Sequence, residues 1–315
     1  MLRLIVNRLL LGVLTLFAVS VLIFVCTQIL PGDVASAVLG QGATPEALVI
    51  FRKELGLDVP AYLRYWNWLV AALQGDLGVA LTNKRVIVDE VMPRLRNTLF
   101  LAGYAALIAI PLAVGLGVFS AINEGKLSDR LSNVLTLIAI SLPEFFIAYL
   151  LIILMAVNVD WFPSLSTVSP GMPIAERIYQ STLPAITLTL LVAAHMLRMT
   201  RSSVLAVMST PYVEMAFLKG AKRQRVITRH ALPNAAAPII TVVALNLAYL
   251  VVGVVVIEAV FVYPGLGQLM VDAVSKRDVP VIQACGLVFA MVFVLLNTLA
   301  DVLVILVNPR LRHKR

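Results

Sequence analysis

The chain has 315 residues, of which 60% are hydrophobic and only 13% charged, whereas a soluble domain is nearer half apolar and about a quarter charged. An excess this large has no soluble core to fill, so lipid must face much of the surface. The net charge of +8 does not indicate nucleic acid, because the bases are dealt out between apolar runs rather than gathered on one patch.

A bilayer crossing takes about 20 apolar residues, and six runs qualify. The first, Leu9–Ile29, is followed by Ala35-Ser36-Ala37, a tripeptide like a signal cleavage site. The run is too long for a signal h-region and five more follow, so it is expected to be retained as a span. Residues 31–97 then form an external segment too long for a simple connector. Two amphipathic helices are expected in it. In TPEALVIFRKELG, Thr44 is placed to cap, Pro45 sits in the first turn and Gly56 stops the helix. In AYLRYWNWLVAALQG, beginning near Pro60, Tyr62, Tyr65, Trp66, Leu69 and Leu73 recur at helical spacing and Gly75 ends the pattern. Such a helix either lies in the membrane interface or covers the mouth of a pathway as a lid or scoop; the residues leave both open.

The remaining spans are Thr98–Ile122, Leu131–Val157, Leu183–Leu205, Ala235–Val262 and Val281–Val307. None alternates with period two, so a bundle of six transmembrane helices is expected rather than a barrel. The domain reading is 1–30 for the N-terminal segment and first span, 31–97 for the outer loop, and 98–315 for the core carrying five spans. Arg3 and Arg8, Lys126 and Arg130, the seven bases from Arg198 to Arg229, and the basic residues from Arg310 onward all fall on one side. That is the positive-inside distribution, with both termini cytoplasmic.

The inner loop 206–233 is the most informative segment. Pro211 opens a helix expected to run from Tyr212 to Lys219, with Ala216 giving it a small face and Gly220 ending it in a left-handed turn. A second basic helical stretch reaches Leu232-Pro233, where the proline is expected to break the geometry before the fifth span. A two-turn helix held at the inner surface between two spans suits a groove in another protein, while its basic residues equally suit anchoring to anionic lipid.

At these residues the chain resembles the ATP-binding-cassette importer permeases. Their EAA loop reads E-x-A-x-x-x-G, then, after nine residues, x-x-L-P. Glu214, Ala216, Gly220 and Leu232-Pro233 match it, while Met215 stands at the second position and His230 two places before Leu-Pro. Further motifs resemble the dipeptide/oligopeptide permease group (B-subunit-like) over nearly the whole chain. They are Leu30-Pro31-Gly32-Asp33, Leu55-Gly56-Leu57-Asp58-x-Pro60, Gly75-Asp76-Leu77-Gly78, Pro93-x-x-x-x-Thr98-Leu99, Glu258-x-x-Phe261-x-x-Pro264-Gly265-Leu266-Gly267 and Asn308-Pro309-Arg310-Leu311-Arg312, with Asn308 where aspartate is more usual. The resemblance implies an all-α membrane protein of the type I importer permease fold in a bacterial inner membrane. It implies a permease subunit forming half of the path for di- or oligopeptides. Its partners would be a second similar permease, two cytoplasmic ATPases that bind ATP and Mg, an external solute-binding protein and membrane lipid, with no nucleic acid. Tyr212, Glu214, Ala216, Phe217, Gly220, Ala221, Leu232 and Pro233 are the residues expected to couple to the ATPases. Similar permeases carry nickel, glutathione or sugars, so the solute stays open, and an ATP-independent secondary transporter or channel is the reading from another class.

The chain holds no Walker A pattern, no H-E-x-x-H and no G-x-S-x-G. Its histidines, His195, His230 and His313, are scattered, and Cys26 and Cys285 lack metal-ligand spacing. It is therefore expected not to be an enzyme, to hold no metal or cofactor, and to leave ATP hydrolysis to partner chains. Glu144, Glu258 and Asp301 are ionisable residues within or beside spans, and each needs a reason to be there. Either they line a hydrated pathway and meet a solute amine, or they pair with bases and backbone groups to fix helix packing. Packing is favoured for Glu258 and Asp301.

Overall fold

The computed structural model describes residues 2–29, 44 and 59–307. Among them the regular elements are helical, apart from an isolated bridge between Val79 and Val86. The expected helix over 44–56, the motifs at Leu30–Asp33 and Leu55–Asp58 and the 308–312 tail lie outside the described residues.

α1 (Leu2–Ile29) carries no periodic polar face and is the most apolar of the spans. It lies antiparallel along α11 (Val279–Val307). Arg8 pairs with Asp301, Gly12 faces Val294, Ile23 faces Gly286, and Gln283 donates to Thr27 Oγ1 at 2.9 Å. Two glycines on opposite partners let the backbones approach, as membrane helices do where lipid gives no hydrophobic drive to association. α2 (Ala61–Leu73) forms where the second amphipathic helix is expected. Its seated face is narrower than the spacing suggests. Tyr65 and Trp68 pack against Phe24, and the Tyr65 hydroxyl lies 2.8 Å from Ser20 Oγ, while Tyr62, Trp66 and Leu73 remain exposed.

The centre is built from α3 (Ile87–Ile122), α6 (Ile174–Met208) and α9 (Leu232–Phe261). α3 presents Ala105, Ala106, Ala109 and Ala113, all buried, to Leu188, Val192, Ala193 and Met196 of α6. Near the end of α3, a Cβ on Gly117 would stand 2.8 Å from the Leu197 carbonyl oxygen, so only glycine allows this crossing. α3 and α6, at 36 and 35 residues, are each about 50 Å long at ~1.5 Å per residue. They start well before the apolar runs Thr98–Ile122 and Leu183–Leu205 and contain Pro93, Pro111 and Pro184 inside the helix.

Two expectations are corrected. The run Leu131–Val157 is not one straight crossing. α4 (Leu127–Ser141) and α5 (Glu144–Leu151, continued by a π turn over Ile152–Asn158) meet at 104°. Pro143 is the reason, since the residue before a proline is pushed out of the helical region, and Leu142 is extended at φ −88° and ψ 137°. Pro233, for its part, does not break the chain before the fifth span. α8 (Arg223–Val226) runs through a π turn, Ile227–Ala231, directly into α9, with Pro233 in the first turn of α9. The widened turn accommodates a ring that cannot donate and would clash with the preceding turn.

Among the described residues five helices are long and apolar enough to cross a membrane, and the two bent pairs bring the candidates to as many as seven. The second bent pair is the end of α9 with α10 (Leu266–Lys276), which folds back at 78° before α11 begins.

Candidate functional site

α7 (Pro211–Leu218) is strung between the ends of the two central helices: α6 stops at Met208 and α8 leads on into α9. Its start is fixed by Thr210, whose carbonyl accepts the N–H groups of Val213 and Glu214 and whose hydroxyl donates to Val207 O. Its end is fixed by Gly220, at φ +79°. There the Ala221 N–H donates to the Ala216 carbonyl at 3.3 Å, the six-to-one bond of a Schellman cap. A Cβ on Gly220 would meet nothing within 4 Å. Glycine is therefore required by the backbone angle and not by space.

This geometry gives α7 two faces. Val213 is fully buried, and the ends of α3, α6 and α9 flanking the loop share a cluster of Ala121, Val204, Ala235 and Ile239, with Leu232 packed against it. Tyr212, Met215 and Leu218 face out, at 47%, 54% and 77% exposure. Glu214, Lys219, Gly220 and Pro233 are exposed as well, and Ala216 and Ala221 are half-buried. The side chains of Phe217 and His230 lie outside the described residues. A two-turn helix with an outward apolar stripe, anchored at both ends, has the shape and chemistry that fit a groove in another protein.

Sequence reasoning missed a cluster at the same end of the bundle. Arg201, two turns before the end of α6, makes a two-pronged ion pair with Asp129 in the first turn of α4: Nε to Oδ1 at 2.7 Å and a second nitrogen to Oδ2 at 2.8 Å. Ser120 of α3 donates to Oδ1 at 2.5 Å, the Gly125 N–H to Oδ2 at 3.0 Å and Asn133 to Oδ1 at 3.1 Å. Asp129 is 3% exposed. One carboxylate thus ties α3, α4 and α6 together, and full satisfaction makes its burial tolerable. Both residues stand in a basic inner segment where Arg201 reads as one charge among many; their separation of 72 positions leaves no local signal.

The three carboxylates singled out in the spans do not come together. Glu258, fully buried in the last turn of α9, caps the first turn of α10. Its Oε2 accepts the N–H groups of Gly267 and Gln268 at 2.7 and 3.1 Å, and its Oε1 accepts the Thr98 hydroxyl at 2.6 Å; Thr98 Oγ1 in turn accepts the Leu266 N–H. The glycines of Pro264-Gly265-Leu266-Gly267 are there for space. A Cβ on Gly265 would lie 1.9 Å from Glu258 Oε1, and one on Gly267 would lie 2.7 Å from Val255 Cα. Next to it Asn97 accepts from Arg177 and donates to the Pro264 carbonyl, while the Tyr263 hydroxyl donates to Asn97 O. Asp301 pairs with Arg8 at 3.0 Å, joining α11 to α1.

Glu144 is the exception. It starts α5 at the Pro143 bend and lines a cavity of about 110 Å³ with His195, Asn246 and Tyr249. Among the described residues nothing donates to its carboxylate. No group of three or more candidate metal ligands occurs among the described residues.

A helical bundle with a short helix strung between its central spans, exposed on one face and tied at both ends, has the build of a transporter's membrane subunit. The chain belongs to the family described as binding-protein-dependent transport system inner membrane component, matched over residues 113–313, with the N-terminal part of such components matched over 1–102. It is thus a multi-pass inner-membrane permease subunit of an ATP-binding-cassette importer, working with an ATPase and a solute-binding protein.

Among curated proteins it is similar to the glutathione transport system permease protein GsiC. It is 38% identical to GsiC of Escherichia coli O6:H1 (strain CFT073), and 37% to those of Escherichia coli (strain K12) and Shigella dysenteriae serotype 1 (strain Sd197), over all of this chain and all of each relative. Among solved structures it is similar in fold to an inward-facing MetNI methionine ABC transporter chain, with a TM-score of 0.56 and 17% identity over 70% of this chain and 98% of that one.

Proposed function

We propose that the chain forms half of a solute path for small peptides, with a second, similar permease forming the other half. Two cytoplasmic ATPases would bind ATP and Mg and grip α7, and a solute-binding protein would deliver at the opposite end. In this reading the chain hydrolyses no ATP and both its termini lie on the ATPase side. The observation that carries it is the outward stripe of Tyr212, Met215 and Leu218 on a helix fixed at both ends. Peptides are supported by the motifs shared with the dipeptide/oligopeptide group and by GsiC, named for glutathione, itself a tripeptide.

The coupling is mechanical. Movement of the grip displaces the inner ends of α6 and α9 together, because α7 is bonded to the first at Thr210 and runs into the second through α8. The Arg201–Asp129 tie carries α3 and α4 along. ATP shifts access only to the extent that the ATPases bind α7 more tightly in one arrangement than in the other. Glu258 and Asp301 serve packing in this account. Glu144, with no donor among the described residues and a cavity before it, is the carboxylate that faces the path.

A photo-cross-linking amino acid at position 215 tests the grip. With the co-expressed importer, the expected result is an adduct of this chain with an ATPase subunit. Adducts with lipid alone would favour the anchoring role of the basic loop.

A further inference from the structure

At the end of the bundle opposite α7, a cavity of about 240 Å³ lies between the turn before α3 and the corner joining α10 to α11. Its wall carries three acids, Glu90, Asp272 and Asp278, and three bases, Arg85, Arg94 and Lys276. Several are already engaged with one another or with amides. Glu90 Oε1 accepts from Asn83 at 2.7 Å and lies 3.9 Å from Arg85, and Asp272 Oδ1 accepts from Gln268 at 3.1 Å.

Asp278 is different. It is 1% exposed, at the start of α11. Its Oδ2 accepts both the N–H and the hydroxyl of Thr82 at 2.9 Å. Its Oδ1 is buried and has no donor among the described residues. The N-terminus of α11 favours the negative charge without supplying a hydrogen bond to that oxygen. Burying a carboxylate oxygen unpaired is costly, and native structures supply the partner. Arg94, on the same wall, donates to none of the described residues. A carboxylate oxygen without a donor and a guanidinium without an acceptor, both among the described residues, therefore line one small cavity with no net charge.

We propose that this cavity seats the charged ends of a zwitterionic solute, its ammonium donating to Asp278 Oδ1 and its carboxylate received by Arg94. The size, just under the roughly 300–1,000 Å³ of drug-sized sites, suits a short peptide. The guanidinium's paired donors match a carboxylate, and the buried oxygen needs a donor that an ammonium provides three times over. The inference rests on the peptide reading and adds a reception site on the permease itself, at the end of the path where solute would arrive.

The test uses the assembled importer in lipid nanodiscs, without its solute-binding protein, titrated calorimetrically with trialanine and with N-acetyl-trialanine amide. Trialanine should bind at one site per copy of this chain, and the blocked peptide should bind at least about tenfold more weakly. Asp278→Asn should weaken trialanine by about tenfold or more. So should Arg94→Gln, which breaks no hydrogen bond among the described residues and so guards against misfolding as the cause. Absence of binding, equal binding of the blocked peptide, or unchanged affinity in both variants would overturn the proposal. Uptake of trialanine into proteoliposomes with the binding protein present is measured in parallel. Uptake without direct binding sinks the cavity and leaves the peptide reading standing; direct binding without uptake does the reverse.

Discussion

The two ends of α9 are held by opposite means. At the Phe261 end, Glu258 is buried, every oxygen has a donor, and Gly265 and Gly267 are pressed against their neighbours so closely that a methyl group has no room. At the Leu232 end, α7 is fixed by a few backbone bonds, its apolar stripe is exposed, and Gly220 stands in open space. A jammed, satisfied joint transmits force without yielding, whereas a lightly tethered lever can be taken up by a partner. On the proposed coupling the same helix is anchored at one end and driven at the other, and substitutions at the two ends should fail in different ways.

The largest effect is expected from Arg201→Ala. It leaves the buried Asp129 carboxylate without its ion pair, a loss of about 3 kcal/mol or more, read as a lowered unfolding temperature of the purified complex. Arg201→Lys should recover only part, because an ammonium cannot reproduce the two-pronged contact. Gly265→Ala comes next. Its new methyl displaces the Glu258 carboxylate from the α10 cap and costs about 2–3 kcal/mol by overpacking, again seen in thermal unfolding, with the coupling of any surviving folded protein preserved. Loss of coupling at wild-type stability would break the division between the ends. The smallest effect is Asp301→Asn. The Arg8 pair is partly exposed on both sides, and such pairs are worth under about 1 kcal/mol, so complex yield and unfolding temperature should barely move.

Much of this was legible in the sequence because it is local. The loop 206–233 announces its helix through Pro211, its stop through Gly220 and its family through Glu214, Ala216 and Leu232-Pro233. The apolar runs give the spans because lipid imposes one length and one kind of backbone. What stayed hidden depends on distant partners or on competition between signals. Glu258 was visible as a costly carboxylate, but its cap needs Thr98, 160 positions away. Asp129 and Arg201 stand 72 positions apart in segments with other charges, and only the fold joins them. The bend at Leu142 was written in the Leu-Pro-Glu sequence, yet the continuous apolar run over 131–157 outweighed it. Pro233 misled in the other direction, since a π turn absorbs what would break an α-helix. The orphaned oxygen of Asp278 has no sequence signature, because it exists only where the turn before α3 meets the α10–α11 corner.

The claim on which the account turns is that α7 is the lever through which ATP drives this subunit. Solute-stimulated ATP hydrolysis by the purified importer carrying Ala216→Glu together with Gly220→Val tests it most directly. The first change puts a charge on the half-buried face beside the Schellman cap, and the second forces a branched residue to a backbone angle it avoids. The account predicts complexes that insert and keep their unfolding temperature to within a few degrees but show no stimulation by solute. Stimulation equal to that of the unaltered importer would contradict it.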